Sequence, residues 1–328
     1  MSAALPRRPA PGPRTPGRVA GLVPLVGVWL ALVALFGILA DNFLSPATFT
    51  TLAGRLPALV LAATGMTLVI VTGGIDLAVG SVAALAGGVL GVALEAWKWP
   101  VAAALPLAVA TGAAVGLGGG MLSVGLRLPS FLVTLGLLEA CRGLTYAVSG
   151  SRTLFLGGRL EALLRPVPGV GLPATVLVTL AVAAAAQFVL ARTVLGRRMV
   201  AVGSNEEAAR LSGVSVGTTR LAAFTLSGTL AGLAGVFACP RRGSADPNAG
   251  VGLELSAIAA AVIGGTSLSG GRGSVVGSLV GVLVIATLEA GLAQLGASEP
   301  LKRVVTGGVI VAAVAADGLR RRYGSGDA

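Results

Sequence analysis

Few residues of this chain could do chemistry, and those few are scattered. There is no His among the 328 residues, so neither a His base nor a His-ligated zinc site can be built. Cys141 and Cys239 lie in or beside apolar stretches without metal-ligand spacing and read as small buried hydrophobes. No G-x-x-x-x-G-K-[ST] run occurs, so the chain has no ATP-phosphate cradle of its own. Nothing qualifies as catalytic, as a metal ligand or as a cofactor site. What remains are isolated charges. Asp76 sits between two apolar segments, where a carboxylate is costly in lipid. It either lines a solute path, accepting hydroxyl hydrogen bonds, or caps a half-helix beginning near Ser81, close to the inner face. Glu139 and Arg142, three apart in one apolar run, are spaced to neutralise each other on a helix.

The richest polar stretch is 192–220. Within it Ser204, Asn205, Glu206 and Glu207 precede Ala208, Ala209 and Arg210. Ser204 with Glu207 has the spacing of a capping box, which predicts a helix starting at Ser204. The two glutamates suit its positive end, and Gly213 falls where such a helix would stop. A helix of about two turns is marginal alone because nucleation is costly, so it needs a partner to dock against or remains a solvated loop.

The elements around these residues are those of a membrane protein. Hydrophobic residues make up 55% and charged residues 11%, against roughly a quarter charged in soluble domains. The mean hydropathy is +0.90. Gly, at 50 residues, and Ala dominate the apolar runs, as helices packed closely in lipid require. Apolar segments fall at 19–40, 56–72, 81–94, 101–126, 130–149, 173–191, 220–238, 255–268, 274–290 and 302–317. The expectation is an all-α integral membrane protein of about ten transmembrane helices. The first, about 22 residues long, can span a bilayer and reads as a retained helix rather than a signal-peptide core. Residues 1–18, with alternating Pro and Arg, read as a disordered cytoplasmic tail. Residues 19–318 form the transmembrane domain, with 192–220 as its cytoplasmic loop and 319–328 as a basic cytoplasmic tail. The net charge of +11 concentrates in the first tail, in 192–220 and at Arg320 to Arg322. That bias places both termini inside and makes nucleic acid an unneeded partner.

A motif occurs twice. Gly73-Gly74-Ile75-Asp76 leads to Gly80-Ser81-Val82, and Gly264-Gly265-Thr266-Ser267 leads to Gly273-Ser274-Val275. Counted as five helices apart, the copies would be an inverted repeat, in which matching helix breaks mark the site. Gly73, Gly74, Asp76, Ser81, Gly264, Gly265, Thr266 and Ser267 are therefore the candidate translocation path.

These motifs carry a resemblance. Glu207-Ala208-Ala209 followed at the right spacing by Gly213 is similar to the E-A-A-x-x-x-G coupling segment of ATP-binding-cassette importer permeases. Val71 through Ser81, Pro129 through Gly136 with Arg142-Gly143, and Glu254 through Gly271 resemble the signature stretches of the ribose-type sugar permeases. The likeness covers about residues 20 to 317. Glu289-Ala290 and Pro300-Leu301-Lys302-Arg303 depart from the family pattern, which bears on the solute more than on the mechanism. The resemblance implies a permease subunit, not an enzyme, that pairs with a second permease subunit, identical or related. It further implies two ATPase subunits, which hold the ATP and Mg, and an extracytoplasmic solute-binding protein at a bacterial plasma membrane. Ser204 to Arg210 and Gly213 would then form the contact with the ATPase. The other reading is an ion-coupled secondary transporter working through Asp76.

Overall fold

A computed structural model describes residues 22–324; the 1–18 tail lies outside them. Twelve α-helices occur among these residues. Ten of them answer to the apolar segments. They are α1 (Leu22–Leu39), α2 (Pro46–Val71), α3 (Val79–Glu95), α4 (Val101–Gly125), α5 (Ser130–Ser149), α6 (Ala174–Arg192), α9 (Val216–Arg242), α10 (Leu253–Ile263), α11 (Val275–Gln294) and α12 (Glu299–Gly324). Two short helices, α7 (Val194–Ser204) and α8 (Glu206–Leu211), fill the polar stretch between α6 and α9. Seven helices are long and apolar enough to cross a membrane, while α3 and α10 are shorter.

The arrangement follows from which helices are apolar all round. Helix α2 is buried almost continuously from Val60 to Val71 and is enclosed by α9, α10, α11 and α6. A helix without a polar face belongs at the centre of a bundle, and α2 occupies it. It starts ten residues before the apolar run at 56, because Ser45 caps it and Pro46 takes the first turn. Helix α1 is apolar too, yet only Phe36 is buried, so its surface is left for lipid. Helices α4 and α9 share the most extensive helix–helix contact. Gly112 and Gly116 of one face Gly228 and Gly232 of the other, and a β-carbon on Gly116 would lie 2.9 Å from the Gly228 Cα. Small residues four apart on both helices allow that approach, which is how packing replaces the hydrophobic effect inside a bilayer.

At the end of α9 a two-residue strand, β2 (Ser244–Ala245), pairs antiparallel with β1 (Leu154–Phe155). The chain then runs as irregular backbone to α10. Helix α12 continues beyond 318 to Gly324, so the expected basic tail is helical as far as that residue.

The repeat has the opposite sense to the expected one. Helices α2 and α10 both run toward the same junction, where the Gly271 amide donates to the Val71 carbonyl at 2.9 Å. The two copies are therefore parallel, not inverted. The reason is the count: α10 is six apolar helices after α2, and an even offset preserves direction.

Candidate functional site

The two breaks flanked by α2–α3 and α10–α11 meet each other at the end of α7. Gly73 adopts a positive φ of 79° and turns the chain out of α2. The segment after it climbs beside α5, with the Ile75 amide donating to Ser130 Oγ at 3.1 Å and the Leu77 amide to Thr134 Oγ1 at 3.0 Å. Asp76 is buried, and both carboxylate oxygens are engaged. Oδ1 accepts from the Ala78 amide at 3.1 Å and Oδ2 from Ser227 Oγ of α9 at 2.8 Å. Asp76 thus fastens the α2–α3 break to α9 and sits one residue before the turn that starts α3. It borders a void of only about 10 Å³. Gly74 packs against Val69 and Phe224, and Ser81 is buried in the first turn of α3.

The second break is built from tight turns. Gly265 has φ 88°, the Gly270 amide donates to the Ser267 carbonyl, and the Ser267 amide donates to the Arg272 carbonyl. Thr266 and Ser267 are buried. Gly264 meets Gly277 backbone to backbone, bringing the ends of α10 and α11 together. Gln187 of α6 accepts from the Val275 amide at 2.8 Å and so caps α11 alongside Ser274. The third partner is Gly203, next to last in α7. A β-carbon there would overlap the Val71 carbonyl oxygen and lie 2.5 Å from the Gly271 amide nitrogen. Hence α7, the end of α2 and the 264–274 turn are in direct backbone contact, and any shift of α7 must be felt by both breaks.

Helix α8 follows α7 after one residue. The expected cap is corrected here: Asn205, not Ser204, caps α8, its side chain accepting from the Ala208 amide at 2.9 Å. Ser204 closes α7 instead, its hydroxyl donating to the Val200 carbonyl at 2.8 Å. Glu207 pairs with Arg210 on the same helix, and Glu206 reaches Arg220 of α9 at 2.7 Å. Burial of Ala209 fixes the inner side of α8, while Leu211 stands 80% exposed at its end. Gly213, at φ 79°, lets the chain turn into α9. Reading 192–220 as a loop holding one short helix missed α7, whose residues Gly196, Met199 and Val202 are buried against the bundle.

Arg142 departs from its expected partner. Its Nη1 donates to the Pro247 and Ala249 carbonyls at 2.7 and 2.8 Å, and among the described residues Glu139 forms no ion pair with it. Cys141 and Cys239 are both buried free thiols. At the end of the bundle away from α8 lies a cavity of about 500 Å³ between α2, α3, α9, 244–256 and α12; none of the eight candidate path residues lines it.

A ten-helix bundle with two glycine breaks tied to a short helical pair outside the bundle describes a transport subunit. Residues 48–314 match the family described as branched-chain amino acid transport system / permease component, and the chain belongs to that family. Relatives cover nearly all of it. The ribose import permease protein RbsC of Escherichia coli (strain K12) is 39% identical over 296 residues, 88% of this chain and 91% of the relative. The D-allose transport system permease protein AlsC of the same strain is 37% identical over 289 residues, 88% and 89%. The probable ABC transporter permease protein YphD, also from that strain, is 36% identical over 306 residues, 90% and 88%. No solved structure matches the chain significantly.

Proposed function

We propose that this chain is one permease subunit of an ATP-driven importer that carries a sugar or similar small polar solute into a bacterium across its plasma membrane. The observation that carries the reading is the backbone junction of Gly203, Val71 and Gly271. It gives α8 a rigid connection to both helix breaks. The relatives named for ribose and allose argue for a sugar over an amino acid.

In this mechanism two separate ATPase subunits bind ATP and Mg, and α8 seats in a groove of one of them. Asn205, Glu206, Glu207, Ala208, Ala209 and Arg210 form the docked helix, with Ser204 and Gly213 at its ends and Leu211 as its apolar contact. Closure of the ATPase pair moves α8 and α7 as a unit. Through Gly203 that motion reaches Gly73, Gly74, Asp76 and Ser81 on one side and Gly264, Gly265, Thr266 and Ser267 on the other. These eight residues serve as the inner gate of the solute path rather than its chamber. A second permease subunit completes the channel, and an extracytoplasmic binding protein delivers the solute. Both termini face the cytoplasm, the side of α7 and α8.

The test is reconstitution of the permease with its ATPase and binding protein in liposomes. Uptake of labelled ribose or allose should require ATP hydrolysis and survive an uncoupler. Gly203→Val should leave ATPase co-purification intact while abolishing solute-stimulated hydrolysis. Uptake that collapses with the uncoupler and ignores ATP would overturn the reading.

A further inference from the structure

Three arginines stand together where α6 ends and α7 begins. Arg192, Arg197 and Arg198 are all exposed, and among the described residues none of them forms an ion pair. Of the helices packed on α7, which are α2, α6, α8 and α9, only α8 contains carboxylates. Those two, Glu206 and Glu207, are already engaged by Arg220 and Arg210. The cluster is therefore an unopposed positive patch.

The surface beside it is apolar. Thr175, Thr179 and Ala183 turn one side of α6 into the bundle, and the other side is open. Phe188, 63% exposed, lies one turn before Arg192 and shares its face at the i, i+4 spacing. On α7 the exposed Val194, Arg197 and Arg198 share a face at i, i+3 and i+4, while Gly196, Met199 and Val202 are buried. A helix with arginine on its polar face and an apolar flank lies in the headgroup layer and is drawn to anionic lipid. On the orientation proposed above, this layer is the cytoplasmic leaflet, whose negative surface potential attracts juxtamembrane arginines. An occupant that meets Phe188 and the guanidinium groups together needs an apolar tail beside an anionic head. The ATPase contact is elsewhere: α7 has 11 residues, about 16 Å at 1.5 Å per residue, and α8 lies at its other end.

The corner between the two helices is stiff. A β-carbon at Gly196 would overlap the Val189 and Leu190 carbonyl oxygens, so α7 leaves α6 backbone against backbone. Thr193 Oγ1 accepts from the Gly196 amide at 3.3 Å and donates to the Val189 carbonyl at 2.7 Å. Both helices also reach the glycine breaks. Gln187 of α6 holds the Val275 amide at the start of α11, and Gly203 of α7 touches Val71 and Gly271. A lever transmits motion only when one end is held. In the mechanism above α8 moves the Gly203 end, and the arginine end is the one left to be fixed.

We propose that Arg192, Arg197 and Arg198 bind the headgroup of an anionic phospholipid of the inner leaflet, and that this lipid anchors the α6–α7 corner so that ATPase motion reaches both breaks. The headgroup phosphate accepts charge-assisted hydrogen bonds from the guanidinium groups, and the acyl chains lie along Phe188. Without the lipid the corner swings with α8, and ATP is hydrolysed without moving solute. The inference rests on the transport reading above, and its test separates the two.

The reconstituted complex is compared in vesicles of phosphatidylcholine alone and of phosphatidylcholine with phosphatidylglycerol. Ribose or allose uptake per ATP hydrolysed should be at least about fivefold higher with phosphatidylglycerol, the lower end of typical coupling between sites. The double variant Arg197→Gln, Arg198→Gln should lose that difference, and Arg197→Lys, Arg198→Lys should keep most of it. Arg127→Gln removes an exposed arginine between α4 and α5, off this corner, and should keep all of it. Mass spectrometry of the complex extracted from the mixed vesicles should count fewer retained phosphatidylglycerol molecules on the Gln double variant than on the wild type. ATPase co-purification should be the same in all. Equal uptake per ATP in the two vesicles overturns the anchor, and equal lipid retention by the Gln double variant overturns the site. Rescue in phosphatidylcholine vesicles by soluble glycerol 3-phosphate overturns the lipid as its occupant. Loss of the ATPase from the Gln double variant overturns it too, and assigns the arginines to the ATPase contact. ATP-independent uptake with phosphatidylglycerol still held through these arginines would sink the importer reading and leave the lipid site standing.

Discussion

Asp76 illustrates how much a single buried side chain can settle. Both its oxygens accept hydrogen bonds, from the Ala78 amide and the Ser227 hydroxyl, so it joins α9 to the α2–α3 break. Asn can keep both contacts, accepting from the amide and donating to the hydroxyl; Leu keeps neither. Asp76→Asn should therefore preserve ATP-driven uptake. Asp76→Leu should destabilise the subunit by about 1–3 kcal/mol, the cost of buried groups left without partners, as measured by denaturant unfolding in mild detergent. Loss of uptake in a well-folded Asp76→Asn variant would return ion coupling to consideration. The α4–α9 crossing makes a second prediction. A β-carbon at Gly228 would lie 2.7 Å from the Gly116 Cα, whereas one at Gly118 meets nothing within 4 Å. Gly228→Ala should cost about 1–3 kcal/mol by overpacking, and Gly118→Ala should be neutral or slightly stabilising in the same assay. Sequence spacing exposed Asp76 as unusual but misdirected Arg142. Glu139 is three residues away on a helix, yet the Arg142 guanidinium reaches carbonyls more than a hundred residues later. No local pattern encodes a contact with irregular backbone.

At the level of elements, helices with long apolar runs were legible and those held by packing were not. Each of the ten apolar segments carries a helix, as composition demands in lipid, though 255–268 is helical only as far as Ile263. Helix α7 escaped notice because Gly196, Arg197, Arg198 and Gly203 disrupt any simple pattern; burial of Met199 and Val202 sustains it. Once α7 extends to Ser204, that hydroxyl is committed to the Val200 carbonyl and the cap passes to Asn205. The consequence is measurable. Replacing an N-cap side chain by Ala costs about 1 kcal/mol, a large share for a helix of 6 residues. Asn205→Ala should weaken retention of the ATPase in detergent pull-downs, Asn205→Asp should restore it, and Ser204→Ala should leave it nearly unchanged. The reverse order for Ser204 and Asn205 would restore the capping box as the true start of α8.

For the whole molecule the decisive question is which way it faces. The family shows a permease of many spans, and the bundle has two distinct ends. One carries α7, α8 and both glycine breaks; the other carries the β1–β2 pair, the start of α12 and the cavity of about 500 Å³. Helix α9, with 27 residues, is about 40 Å long at 1.5 Å per residue and connects the two. Helix α10, with 11 residues, is too short for a hydrocarbon core of about 30 Å. In the topology we propose, the irregular stretch 246–252 supplies the rest of that crossing, from β2 to the 264–274 turn. In that same proposed topology, ten crossings return the chain to the side on which it began, and the basic clusters of 192–220 put that side in the cytoplasm. In right-side-out vesicles, a protease added outside should therefore cut within the segment 157–171, which adjoins β1, and spare tags at both termini. In inverted vesicles the tags should be removed and that segment spared. Cleavage of either terminal tag from outside, with 157–171 intact, would reverse the molecule in the membrane. Helix α8 would then be out of reach of any cytoplasmic ATPase, and the importer reading would fall with its orientation.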